Sequence, residues 1–349
     1  MINCYLLDGF LYEKERSFND FSHINQVLKS NLKLLGSIPV QAIVLILDEY
    51  SKRLSMDRKL LGIQGVSYLS FYFRRSNLEK LISMNLKDEK YLDEFVAIGN
   101  DKFIKAQARG ISCHWIAGNI GTLALYSIFQ SLMAKNSNLV KVPKKNMTVV
   151  LNILEHLNDI QVVYEEKTYY SRDLIKNICL VYFDRENEFL NKSMSLMADA
   201  RIVWGGEDAV NYITLLPKKT TCKDVVFGPK YSFAVFDRKA LESDECFSYM
   251  DKLAMDIVLF QQKACSSPQV VFVEKGSIPL RDIVCMLEKS FKKIGKRYND
   301  PLDENTCAKI INERGVYSLD PNKNICCNRG LGYTILINDE ISLEEDVFF

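Results

Sequence analysis

Hydrophobic positions along the chain follow two rhythms. Through residues 1–90, the segments Val40 to Leu54 and Asn77 to Met84 place apolar residues three and four apart between charges, the period of helices with one buried face. Ser76 followed by Glu79 fits a capping box opening the second helix. This region is predicted to be mainly helical after one short opening strand, and to serve packing and partner contact, because no catalytic constellation falls in it. From Glu94 onward, short apolar runs alternate with helical segments. Strands are predicted at 110–116, 139–142, 177–183 and 200–204, and helices at 122–134, 148–157, 186–197 and from Asp208 to Ile213. Strand-then-helix order of this kind is the signature of a mostly parallel sheet covered on both faces. Ligands of such sheets sit at the carboxyl ends of the strands, so the turns there carry the interest.

The second half is read in the same way. Residues 217–231, PKKTTCKDVVFGPKY, are basic and turn-rich before a strand from Ser232 to Phe236. A helix is predicted from Arg238 through Lys263. It is followed by a polar turn holding Cys265, with Pro268 stopping the helix because proline has no N–H to donate and clashes with the preceding turn. A strand over Val270 to Val273, a helix from Leu280 to Lys296 and a short strand over Tyr333 to Ile337 complete the pattern. The chain stops on the apolar DVFF, which is expected to be packed down or to mark a cut inside a larger fold.

Composition removes several function classes. The chain has 349 residues, 45 basic and 44 acidic, for a net charge of +1, so no overall charge recruits nucleic acid or an anionic membrane. No apolar run is long enough to span a bilayer, and Met1 to Glu13 lacks the basic start of a secretory signal and carries Asp8 in its apolar part. A cytoplasmic protein is expected. Ten cysteines are scattered mostly singly, without a CxxC pair, and the three histidines lie far apart in sequence. Neither disulfides nor a metal cofactor are therefore expected. Cys326 and Cys327 are adjacent in a predicted loop.

Four places carry candidate chemistry. Ala117-Gly118-Asn119-Ile120-Gly121 joins a strand to a helix, with glycines allowing close backbone approach and Asn119 offering an amide donor at the strand end. Lys141 ends a short buried strand, where its ammonium can meet a phosphate or ribose, although snorkelling to the surface is the commoner fate of lysine. Trp204-Gly205-Gly206-Glu207 opens a helix whose free N–H groups favour a pyrophosphate, yet no GxGxxG is present. Cys265 sits on a turn between rigid elements, as a nucleophile requires, but a single cysteine is more often structural than reactive.

Taken together and in order, these segments resemble the LuxC-like fatty acyl-CoA reductases, relatives of the aldehyde dehydrogenases. The matching stretches are CHWIAGNIGTLALYS (113–127), NSNLVKVP (136–143), RIVWGGEDAV (201–210), FGPKYSFAVFD (227–237) and QQKACSSPQVVFVE (261–274). The resemblance implies an α/β, aldehyde dehydrogenase-like fold. Its parts are a mainly helical region over 1–90, a Rossmann-type cofactor domain over 91–240 and a catalytic thiol domain over 241–349. It implies that Cys265 takes the acyl group as a thioester, and that Asn119 supplies the side-chain donor of an oxyanion hole. Lys141 is implied to meet the adenosine ribose or its 2′-phosphate, compatible with NADPH, while Gly205 and Gly206 approach the pyrophosphate. Implied partners are acyl-CoA or an acylated synthetase protein, within an oligomer or multi-subunit complex.

Two departures from the family pattern matter. Phe227-Gly228-Pro229-Lys230 stands where oxidising relatives carry a water-activating glutamate, which favours reduction of the thioester over its hydrolysis. Superfamily members also continue beyond the equivalent of Phe349, with Glu344 or Glu345 as candidates for a ribose-contacting glutamate. The expectation is therefore a thioester reductase, and the alternative is an acyl-carrying or non-catalytic subunit.

Overall fold

A computed structural model describes the protein over residues 1–295 and 302–338. The chain divides into two compact units, Met1–Pro229 and Lys230–Phe349. The strand Ser232–Phe236 therefore belongs with the second unit.

The first unit is built on a seven-stranded sheet. Its strands are β1 (Ile2–Leu7), β2 (Phe10–Phe18), β3 (Ile111–Trp115), β4 (Ser137–Lys141), β5 (Ile178–Tyr182), β6 (Ala200–Trp204) and β7 (Lys223–Phe227). In space they run β7-β6-β3-β4-β5-β1-β2. Strands β3 to β7 are mutually parallel, and the β1–β2 hairpin adds antiparallel against β5. All five residues of β3 are buried, as expected for a strand covered on both faces. Helices Val40–Met56 and Leu123–Met133 pack against one face in a single apolar cluster. Helices Ser22–Gly36 and Glu188–Met197 contribute to a second cluster that also holds residues of β1, β3, β5 and β6.

Several predicted boundaries move for identifiable reasons. The opening strand is one arm of a hairpin, turned by Asp8 and Gly9, both at positive φ, and its second arm was hidden because FLYEKERSF is largely polar. The capping box at Ser76 and Glu79 does not form. The helix starts at Arg75, whose N–H donates to Asp48 Oδ1 at 2.8 Å, and Glu79 pairs with Arg75 Nε at 2.7 Å. A carboxylate from a neighbouring helix has taken the role that the sequence assigned to a local serine. The helix predicted at 148 begins at Lys144, directly after Pro143, and a short hairpin pairs Gln161–Tyr164 with Lys167–Tyr170. Within the basic stretch 217–231, Lys223–Phe227 pairs with β6 as an edge strand.

One buried charge fastens this edge. Arg201, on β6, is fully buried, and its guanidinium meets Asp224 of β7 through Nε and Nη2 at 2.7 Å each. The same group donates to Ser195 Oγ and to the carbonyls of Ile213, Thr214 and Leu216 at the end of helix Glu207–Leu215. Hydrogen bonding from Arg201 is the leading cause that holds the Asp224 carboxyl below its usual range.

The second unit carries a parallel pair, β8 (Ser232–Phe236) and β9 (Pro268–Val273), packed on helices Cys246–Val258 and Leu280–Ile294 around its own core. The long helix predicted from Arg238 to Lys263 is broken. It comprises Arg238–Leu241 and Cys246–Val258, followed by a tight turn over Leu259–Gln262 in which Phe260, Gln261 and Gln262 have φ of 61°, 53° and 58°. Helix geometry thus ends at Val258, and Pro268 instead starts β9, opposite Ser232. Helix Glu304–Leu319 and the antiparallel pair Asn324–Cys327 with Thr334–Ile337 follow, so Cys326 and Cys327 lie on a strand and not in a loop. Lys296, Glu344, Glu345 and the terminal DVFF lie outside the described residues. Among the described residues, no single helix is long and apolar enough to cross a membrane.

Removing the partner of Arg201 leaves an uncompensated buried charge. Asp224→Ala is expected to lower unfolding stability by about 3–5 kcal/mol, measured by urea denaturation; a loss under about 1 kcal/mol would show the pair to be peripheral.

Candidate functional site

The order of the parallel strands creates the crevice. The chain lays down β3, β4 and β5 toward one side, then returns to place β6 and β7 on the other side of β3. The reversal puts a topological switch point between β3 and β6, where ligands of such sheets bind at the carboxyl ends. The Ala117–Gly121 turn follows β3 and Gly205-Gly206 follow β6, so both predicted turns flank that point. Lys141 is the last residue of β4, one strand away. Four of the five predicted site residues therefore share one sheet edge.

Packing requires a glycine at one of these positions. A Cβ on Gly205 would lie 2.9 Å from Ala209 Cβ, whereas one on Gly118 would meet the movable end of Lys145, at Cε, 2.9 Å away. Gly206 forms the N-cap of helix Glu207–Leu215 and faces open space. Glu207 and Asp208 occupy the first turn of that helix, so its positive end is already met by carboxylates. Cationic charge on this edge comes instead from Lys141 and from Lys144 and Lys145, in the first turn of helix Lys144–Glu155. Asn119 is exposed on its turn.

Lys141 is held in place by its neighbours. Its ammonium lies 4.2 Å over the Phe183 ring and 3.3 Å from Asn191 Oδ1. The same Oδ1 accepts the Trp115 indole N–H at 3.1 Å, while Asn191 Nδ2 donates to the carbonyls of Arg185 and Asn187. Burial is the main cause that lowers the ammonium to about 8; the Asp184 and Glu186 carboxylates oppose it weakly and the Arg185 cation adds to it. Asn191 and Phe183 were not singled out in the sequence, since neither lies in a motif; their role follows from packing beside β4. Two further buried groups stand at this edge without hydrogen-bond partners: Thr122 Oγ1, at the N-cap of helix Leu123–Met133, and Asn146 Nδ2, in the first turn of helix Lys144–Glu155. A half-buried cation, further lysines and two orphaned polar atoms suit an extended anionic ligand that also carries hydrogen-bonding groups.

In the second unit, Cys265 is exposed on the turn between the broken helix and β9. The turn is clamped on several sides. Ser232 Oγ donates to the Cys265 carbonyl at 2.6 Å, and the Ser267 N–H bonds the Ala264 carbonyl at 3.0 Å. Gln262 Nε2 donates to the Pro268 carbonyl at 3.0 Å, and Gln269 Nε2 to the Gln262 carbonyl at 3.1 Å. The predicted setting, a thiol between rigid elements, is thus reached by a route the sequence did not suggest. Three consecutive left-handed residues, and not an uninterrupted helix, deliver the chain to the cysteine. Among the described residues, no cluster of three or more His, Cys, Asp or Glu side chains is arranged to hold a metal ion.

This architecture is that of the aldehyde dehydrogenases. A lactaldehyde dehydrogenase structure aligns with a TM-score of 0.65 at 12% identity, covering 96% of this chain and 76% of that one. An NADP-dependent glyceraldehyde-3-phosphate dehydrogenase from Bacillus halodurans C-125, solved with NADP, aligns with a TM-score of 0.60 at 11% identity, covering 94% and 73%. Within that fold the chain belongs to the LuxC family, described as acyl-CoA reductase, which matches residues 35–347. The long-chain acyl-protein thioester reductase of Aliivibrio fischeri is 23% identical over 287 residues, 78% of this chain and 56% of that protein. The chain spans about half the length of the curated relatives it matches.

The environment of Lys141 gives a direct test. With lysines labelled at Cε, one resonance is expected to titrate near pH 8, well below ordinary lysines, and to vanish in Lys141→Met; uniform titration near the ordinary value would contradict the burial described.

Proposed function

We propose that the protein reduces a long-chain acyl thioester to an aldehyde with NADPH, holding the acyl group on Cys265. The observation that carries this reading is the setting of the thiol. Of the three exposed cysteines among the described residues, Cys285 lies on a helix, Cys327 on a strand, and Cys265 alone on a clamped turn. The relatives named for acyl-protein thioesters supply the substrate class, with an acylated protein or acyl-CoA as donor.

In the first half-reaction the Cys265 thiolate attacks the thioester carbonyl, a new C–S bond forms, and the donor thiolate leaves. Asn119 takes the role of side-chain donor to the developing oxyanion, as the family pattern assigns it. When bound, the dinucleotide supplies the hydride that converts the thioester carbonyl to the aldehyde, with Cys265 leaving as thiolate. Lys141, with Lys144 and Lys145 beside it, holds the adenosine-side phosphate through charge; the NADP-bound structural relative fits this choice. Gly206 keeps the backbone approach open, and Thr122 and Asn146 offer hydrogen-bonding groups that lack partners. Phe227-Gly228-Pro229-Lys230 presents no carboxylate to activate water, so the acyl group on Cys265 is expected to survive until reduced.

Intact mass spectrometry after incubation with a long-chain acyl-CoA should show one acyl adduct, absent from Cys265→Ser, and NADPH should then discharge it as aldehyde. The same adduct on the serine variant would sink the mechanism. An adduct that NADPH does not discharge would favour an acyl-carrying subunit.

Affinity for NADPH should also depend on pH in a defined direction. A bound phosphate favours the charged form of Lys141 and raises its pKa, so affinity should be full below about 8 and fall as pH rises through that value. Calorimetric titration checks this: Lys141→Met should bind more weakly and lose the pH dependence, and a wild-type affinity that stays level from pH 7 to pH 9.5 would contradict the assignment.

A further inference from the structure

Beneath the switch point runs a buried chain of hydrogen bonds that the proposed chemistry does not use. Trp204 Nε1 lies 3.1 Å from Ser127 Oγ, Ser127 Oγ lies 2.7 Å from His114 Nδ1, and His114 Nε2 lies 2.9 Å from Asn138 Oδ1. Asn138 Nδ2 continues to the carbonyls of Asn136 and Asn177. His114 and Asn138 are fully buried and Ser127 nearly so.

The direction of every bond follows from the two ends. The indole N–H can only donate and the two carbonyls can only accept. Asn138 therefore turns its amide nitrogen to the carbonyls and its oxygen to His114, which makes Nε2 the protonated nitrogen of the ring. Nδ1 is then an acceptor, so the Ser127 hydroxyl donates to it and receives the indole N–H on its own lone pair. Burial holds the imidazole at about 4, which keeps this neutral tautomer through the physiological range.

The chain ends on a ring at the crevice. Trp204 is the last residue of β6, and its indole stacks on Phe227, the last residue of β7, with centroids 3.7 Å apart and planes 8° from parallel. Both rings are partly exposed. A stack at the sheet edge can pivot unless something beyond the stack fixes it, and a single N–H bonded to a buried hydroxyl does so.

We infer that His114, Ser127 and Asn138 are positioning residues that lock the Trp204–Phe227 pair as a rigid wall of the dinucleotide crevice. The inference rests on the dinucleotide reading above and gives a role to three residues that lie within the stretches 113–127 and 136–143 but not on their turns. A purely structural chain would affect stability alone; a positioning chain must also affect affinity for the ligand that meets the wall.

A double-mutant cycle on NADPH affinity separates the two. Ser127→Ala removes the acceptor, and Trp204→Phe keeps an aromatic ring on Phe227 while removing the donor. Each should weaken NADPH binding by roughly fivefold, as for one lost hydrogen bond, and the double variant should be no weaker than the weaker single, because both cut the same bond. In ¹⁵N spectra the Trp204 indole signal, identified by its loss in Trp204→Phe, should shift in Ser127→Ala while that of Trp115 stays. Unchanged affinity in Ser127→Ala, or effects that multiply in the double variant, overturns the inference. Should Ser127→Ala fail to fold, Trp204→Phe alone decides, since loss of the indole N–H must still weaken binding. Wild-type protein that binds no NADPH overturns the dinucleotide reading and this inference together; wild-type binding with an unaffected Ser127→Ala overturns this inference alone.

Discussion

A parallel sheet covered on both faces leaves its strands only one place to do chemistry, their ends. In the first unit, β3, β4 and β5 have nearly every residue buried, so any polar side chain along their length must be satisfied inside the protein. The demand is met by complete local networks, His114 with Ser127 and Asn138, and Asn191 with Trp115 and Lys141; on β6 the buried Arg201 is met likewise by Asp224 and three helix-end carbonyls. Polar groups left over gather at the carboxyl edge, where Lys141, Thr122 and Asn146 retain capacity for a ligand. The site is in this sense a remainder, what the interior could not absorb.

The second unit solves a different problem. It leaves the Cys265 thiol exposed while holding the backbone that carries it. Residues 260–262 adopt left-handed conformations that cost about 1–2 kcal/mol each for side-chain-bearing residues, and side-chain to backbone bonds from Gln262, Ser267 and Gln269 tie the segment down. Strain and clamp come from the same short stretch, so the turn carries its own support.

The sequence shows much of this where periodicity and backbone chemistry act locally. The buried strand at 178–182 and the helix at 123–133 are written in an apolar run and three-four spacing, and the ordered turns with Asn119, Lys141, Gly205 and Cys265 were enough to point to the family. Less legible are features decided by distant partners. Asp48 caps the helix at Arg75 although Ser76 and Glu79 promise a local cap. Strand β2 is polar because it is an edge, so alternation does not betray it. The break after Val258 is hidden for another reason: no glycine or proline announces it, and side-chain to backbone bonds within the same stretch hold ordinary residues in an unusual conformation. Asn191 and His114 matter through neighbours contributed by other strands and helices, and no spacing rule connects them to Lys141 or Trp204.

The His114 chain has one more property. Its first group can only give a hydrogen bond and its last groups can only receive one, so the hydroxyl and the imidazole between them have a single consistent orientation. A proton relay needs two interchangeable arrangements, with every link able to reverse its role. This chain has one, and so it cannot conduct protons: a histidine placed just beneath the strand ends is thereby kept as a fixed link, closed to proton exchange with the crevice above it.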